Sequence, residues 1–163
     1  MARIIALFVL CSVLFASINA ISANFMDTFL VVGKVYCDTC RCGFETSASK
    51  YLPGSRVRIE CKKRDTNDLA YTVEGVSNSK GEYKILVNSD RGDEFCDVVL
   101  IRSSDPTCDE PNKGRDRARV VLTRNNGLVS KTRLANSMGF LTNEPLASCT
   151  KILQQYEFSE DQF

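Results

Sequence analysis

The sequence predicts an all-β fold, a small antiparallel sandwich or barrel of about six or seven strands. Three observations lead there. Short runs rich in β-branched and aromatic residues recur at roughly ten-residue spacing, separated by Gly, Pro, Asn and Asp. No helical pattern of useful length precedes Cys149. Eight cysteines in 163 residues provide the means to staple short strands together.

The first residues decide the redox compartment. Met1-Ala2-Arg3 is a short basic start, and residues 4–15 are apolar except for Ser12. Small residues follow, with Ala20 or Ala23 as the last residue before cleavage. Residues 1–20 therefore read as a secretory signal peptide. The run is shorter than the ~20 apolar residues a bilayer span needs, so no membrane anchor is expected. Cleavage after Ala20 removes Arg3 and Cys11, leaving 20 basic and 20 acidic side chains and seven cysteines. Zero net charge argues against electrostatic binding to nucleic acid or membrane. Residues 21–163 suffice for one domain with a real core.

The first strand is expected at residues 31–36, an apolar run leading into Cys37-Asp38-Thr39-Cys40. Residues 47–54 read as a polar loop ending in Pro53-Gly54. Residues 56–62 alternate strictly, with Val57, Ile59 and Cys61 facing in. A polar turn at 64–68 and a strand at 69–76 follow. Residues 77–81 form a turn in which Gly81 supplies a permissive backbone. A fourth strand is expected at 83–87 and a charged turn at 88–94. The fifth strand, 95–102, places Cys96, Val98 and Leu100 on one face. A long loop at 103–114 leads to a sixth strand at 118–123. Asn125-Asn126-Gly127 is a tight-turn signal, so residues 128–132 are expected to pair back. Residues 138–141 form a short edge segment, residues 149–156 one short helix, and residues 157–163 an acidic, frayed tail.

Seven cysteines in an oxidising compartment should mostly be paired, with one left over. A thioredoxin-like role for Cys37-x-x-Cys40 needs a helix N-terminus in a βαβ setting, and the surroundings are β. Zinc would want a second Cys pair or histidines, and the chain has no histidine. Structural disulfides remain. Cys61 and Cys96 both point into the core from separate strands and so can meet. The other pairings stay open, since six cysteines allow 15 connectivities.

Gly33-Lys34-Val35-Tyr36-Cys37-Asp38-Thr39-Cys40-Arg41 resembles the signature of plant pollen proteins grouped with the olive major pollen allergen, the Ole e I family. The likeness continues through Gly43-Phe44, Pro53-Gly54, Val57-x-Ile59-x-Cys61, Gly81-x-Tyr83, Glu94-Phe95-Cys96, Asp105-x-x-Cys108, Gly139-Phe140, Pro145-Leu146 and Cys149. The resemblance implies a transthyretin- or immunoglobulin-like β fold and disulfides Cys37–Cys108, Cys40–Cys149 and Cys61–Cys96. It also implies a secreted plant protein with no established enzymatic activity. Some such proteins act as extracellular ligands in pollen tube growth, through receptor kinases. Cys42 stands where the family commonly has alanine, which makes it the free-thiol candidate and the possible link of a covalent dimer of an otherwise monomeric protein. Val32 replaces a residue that is usually polar, and no Asn-x-Ser/Thr sequon is present.

Catalytic signals are poor. Without histidine, Ser–His and Cys–His arrangements are impossible. Asp93-Glu94 and Asp109-Glu110 read as solvated turns, and no phosphate-cradling glycine loop occurs, so no cofactor is expected. Arg91-Gly92-Asp93 spells the integrin-binding tripeptide but reads as a hairpin turn. Arg115, Arg117 and Arg119 share parity and form the candidate binding face for an acidic partner. The expected function is a secreted, non-enzymatic ligand or interaction protein in pollen or pollen tube growth and signalling, and a potential allergen. The partner would be an extracellular receptor kinase. The alternative is a cell-wall polysaccharide-binding structural protein.

Overall fold

The computed structural model describes residues 28–156. The signal peptide expected at 1–20 and the acidic tail at 157–163 lie outside the described residues. The architecture is organised around strand β1 (Thr28–Asp38), whose two halves have different neighbours. Along Thr28–Lys34 it pairs antiparallel with β5 (Glu82–Asn88) and parallel with β9 (Thr132–Leu134). Along Val35–Asp38 it pairs antiparallel with β2 (Lys50–Tyr51) and parallel with β10 (Met138–Leu141). The two-residue strand β7 (Glu110–Pro111) completes this sheet against β10. The second sheet is wholly antiparallel, in the order β4 (Leu69–Val76), β3 (Arg56–Lys63), β6 (Glu94–Arg102), β8 (Arg117–Val120). A short helix, α1 (Cys149–Leu153), and a 3₁₀ turn (Gln154–Tyr156) follow.

The two-sheet β fold matches the expectation, and the regularly alternating strands fall almost where the sequence places them. Four details differ. Residues 47–54 hold β2 and the buried Leu52, and residues 103–114 hold β7. Residues 128–132 do not pair back on β8; Leu128 and Val129 face solvent, and the chain crosses to lay β9 beside β1. Residues 138–141 lie between β1 and β7 rather than at an edge, with Met138 and Phe140 buried. The sheet around β1 is therefore mixed, with two parallel pairings that sequential hairpins cannot make.

Inward residues of both sheets meet in one core: Val31 and Val35 of β1, Ile85 and Val87 of β5, Val57 and Ile59 of β3, Val98 of β6. The second half of β1 is buried on both faces, with Tyr36 lying over β10 and Asp38 bonded to the backbone of the loop that follows. Burial raises the Tyr36 hydroxyl pKa to about 12, against the lowering effect of Arg115. At the turn before β5, Gly81 has φ 70°, a backbone that suits glycine.

Two tyrosines lie over glycines on neighbouring strands. Tyr83 covers Gly33, its cross-strand partner, and Tyr36 covers Gly139. A Cβ on Gly33 would meet the Tyr83 Oη at 2.2 Å and Cζ at 2.5 Å. The ring is fully buried and has nowhere to move. Gly33→Ala should therefore destabilise by about 2–3 kcal/mol, as core overpacking does. Urea unfolding checks this; a loss below about 0.5 kcal/mol would mean that the ring is not held over the glycine.

Candidate functional site

The cysteine cluster is shaped by one carboxylate. Asp38 ends β1 fully buried, and its side chain accepts hydrogen bonds from the backbone N–H groups of Cys40 (3.1 Å) and Gly43 (2.7 Å). The loop so closed carries Arg41 at φ 52° and Gly43 at φ 88°. Arg41 then reaches outward, pairing with Glu110 at 2.8 Å and donating to the Thr142 carbonyl.

Three disulfides are present among the described residues. Cys37–Cys108 and Cys40–Cys149 tie the loop at 103–114 and helix α1 to the end of β1, with Cα separations of 6.0 and 5.4 Å. Cys61–Cys96 joins directly opposed residues of β3 and β6 in the core, with Cα atoms 4.0 Å apart. Glu94 lies with this last pair, and the three donor atoms fall within 4.8 Å of one another. The disulfide takes both thiolates out of that set, so it does not fit a metal ion.

Cys42 is the free cysteine among the described residues. Its half-buried Sγ lies 3.4 Å from the Phe44 carbonyl oxygen and 3.6 Å from Asp38 Oδ1. Burial raises the thiol pKa, and the charge of Asp38 adds to the rise. The thiolate is the reactive form. Native protein at neutral pH should therefore react with iodoacetamide at least about threefold more slowly than glutathione, and urea should remove the difference. Equal rates for native protein and glutathione would contradict this environment.

The three arginines of the candidate face do not form one row of uncompensated charge. Arg117 and Arg119 converge on Asp97, at 3.1 and 2.5 Å, and Arg117 also approaches Glu60 at 3.9 Å. Arg115 precedes β8, and its Nε donates to the Gly43 carbonyl at 3.1 Å, on the cysteine cluster loop. The Arg91-Gly92-Asp93 sequence forms a turn but not the expected hairpin, because it joins β5 of the first sheet to β6 of the second. Arg91 lies over the Tyr71 ring at 4.0 Å and pairs with Glu94 at 3.2 Å, so its guanidinium is not offered outward. Asp90 holds the turn in place, accepting from Gly92 N, Thr123 Oγ1 and Arg124 N at 2.8–3.0 Å. Burial opposes ionisation of Asp90, and those hydrogen bonds outweigh it, so its pKa is lowered. Sequence reasoning did not single out Asp38, Asp90, or the buried Arg133 discussed below.

Comparison with known proteins fits this geometry. The chain is 40% identical over 136 residues to the Olee1-like protein of Betula pendula, covering 82% of each chain. It is 37% identical over 153 residues to pollen-specific protein C13 of Zea mays, covering 94% of this chain and 90% of that one. The crystal structure of the major plantain pollen allergen Pla l 1 superposes with a TM-score of 0.67 at 28% identity, over 75% of this chain and 99% of the allergen. The family model described as Pollen protein Ole e 1 like matches residues 27–157, and the chain belongs to that family.

Proposed function

We propose that the protein is a secreted, non-enzymatic interaction protein acting outside the cell in pollen or pollen tube growth and signalling. Its partner in this reading is an extracellular receptor kinase. One observation carries the reading. Two disulfides and the Arg41–Glu110 pair fasten three separate segments to one end of β1: the cluster loop, the 103–114 loop and helix α1. Loops fastened this way lose little entropy on binding, which suits recognition. The chain also has no histidine for acyl-transfer chemistry. Relatives whose names contain the words pollen-specific protein support the tissue.

The test is binding of the purified mature protein to receptor-kinase ectodomains and to cell-wall fractions across a salt series. Saturable ectodomain binding supports the reading. Binding to wall fractions alone favours the polysaccharide-binding alternative. Binding to neither, with reproducible turnover in a hydrolase or oxidoreductase screen, sinks it. Charge reversal at Arg119 is a poor probe here, because it sets a second carboxylate beside the nearly buried Asp97.

A further inference from the structure

A cavity of about 140 Å³ opens at the end of the second sheet, between the 88–94 turn and the segment leaving β8. Three arginines line it, Arg64, Arg91 and Arg119, against one carboxylate, Glu94. Glu94 Oε1 pairs with Arg91, while its buried Oε2 and the buried Arg91 Nε have no hydrogen-bond partner, and Asp97 is shared between Arg119 and Arg117. Arg64 makes no ion pair among the described residues. Its Nε donates to the Gly92 carbonyl at 3.2 Å, and its guanidinium lies 4.4 Å from the centre of the Phe95 ring. Arg119 lies 5.0 Å from the same ring centre. Phe95 thus holds two guanidinium groups beside the cavity while remaining partly exposed itself.

The walls are stiff. Cys96 lines the cavity and is bonded to Cys61. The 88–94 turn is fastened to the opposite wall by the Arg91 N–H on the Leu122 carbonyl at 2.7 Å and by Asp90 on Thr123. A pre-formed pocket with a surplus guanidinium beside an aromatic ring suits a carboxylate, which arginine grips through paired N–H donors. The volume admits one side chain or one sugar ring, not a longer segment.

We propose that this cavity receives a single carboxylate side chain from a peptide segment of a partner protein, flanked there by basic or neutral residues. The proposal rests on the reading of this chain as an interaction protein. The depression that shares Arg64 and Glu94 with the cavity decides between a peptide and an acidic polysaccharide. It is lined by Lys63, Asp65 and Asp93 as well. A polyuronate carries a negative charge on each sugar and would run its second charge over Asp65 and Asp93. A peptide with a basic residue beside its acid meets those carboxylates favourably.

The experiment uses the full mature protein, isotope-labelled, titrated with a short peptide carrying one glutamate between two lysines. A peptide with glutamine in place of the glutamate, and trigalacturonate, are run alongside. Saturable amide shifts confined to Arg64, Gly92, Phe95 and Val121 are expected with the glutamate peptide. Binding should be about tenfold weaker with the glutamine peptide and with Arg64→Gln, and unchanged with Lys84→Gln, on the other sheet. Thermal unfolding of Arg64→Gln should match wild type, because Arg64 is exposed. No localised shifts, equal binding of the two peptides, or full binding by Arg64→Gln would overturn the pocket. Tighter binding of trigalacturonate at the same amides would overturn the choice of a peptide. A failure here alongside intact ectodomain binding rejects this pocket and leaves the proposed function standing.

Discussion

Replacing Cys61 and Cys96 together by alanine should lower the unfolding free energy by about 4–5 kcal/mol. The two are 35 residues apart in sequence. On the chain-entropy model, releasing a loop of that size returns about 4 kcal/mol of entropy to the unfolded chain. The outer bridges close longer loops, with separations of 71 and 109 residues, but the logarithm adds less than about 1 kcal/mol for them. All six cysteines are buried, but Cys61–Cys96 and Cys37–Cys108 lie in the core cluster and Cys40–Cys149 does not. Cys61 and Cys96 are 0% and 2% exposed between the sheets, so deleting their sulfurs also leaves a void against Val57, Ile59 and Val98. Cys40–Cys149, in contrast, holds a five-residue helix at the chain's end, beside the Leu146 N–H on the Thr39 carbonyl at 3.1 Å and the Phe44–Tyr156 ring contact. Its loss should appear first as local release of α1, read by amide exchange at residues 146–152. Urea unfolding in a Cys42→Ala background, which prevents thiol reshuffling, checks the ranking. A loss under about 1 kcal/mol for the Cys61/Cys96 double variant would remove it from the core's main supports.

How far the fold could be read from the residues depended on periodicity. Residues 56–62 alternate, and β3 is there, with Val57, Ile59 and Cys61 buried and the charges outside. The same parity put Cys96, Val98 and Leu100 on the inner face of β6. Strands of two residues, such as β2 and β7, have no period to detect. The Asn125-Asn126-Gly127 signal misled because a turn dipeptide specifies local geometry and not the partner of the chain that leaves it. The signal also holds no trace of Arg133, whose side chain bonds to both ends of the crossing segment. The candidate face was legible only as parity. Sequence spacing put Arg117 and Arg119 on one side, but showed neither Asp97 between them nor the departure of Arg115 toward Gly43.

Arg133 is the buried cation of the first sheet, 5% exposed at the centre of β9. It makes no ion pair among the described residues. Its guanidinium donates instead to backbone carbonyls: Nε to Val121 at 2.9 Å, Nη2 to Thr123 at 2.9 Å, and Nη1 to Ser130. It also lies 4.9 Å from the centre of the Phe29 ring at the start of β1. One side chain thus fastens both ends of the 121–132 crossing to the strand it leads into. Replacement by methionine keeps much of the apolar stem and strips three carbonyls of their donor. Val121 and Ser130 are exposed and Thr123 is half-buried, so water replaces part of the lost donors, and Arg133→Met should destabilise by about 2–3 kcal/mol. Lysine keeps the charge but donates from a single point, while the three acceptors are spread around a planar fork. Arg133→Lys should therefore recover less than half of the loss. Urea unfolding measures both, and amide exchange across residues 121–132 should quicken in both before the core opens. If Arg133→Met loses less than about 1 kcal/mol, the crossing is held by its backbone alone, and the parallel placement of β9 beside β1 needs another cause.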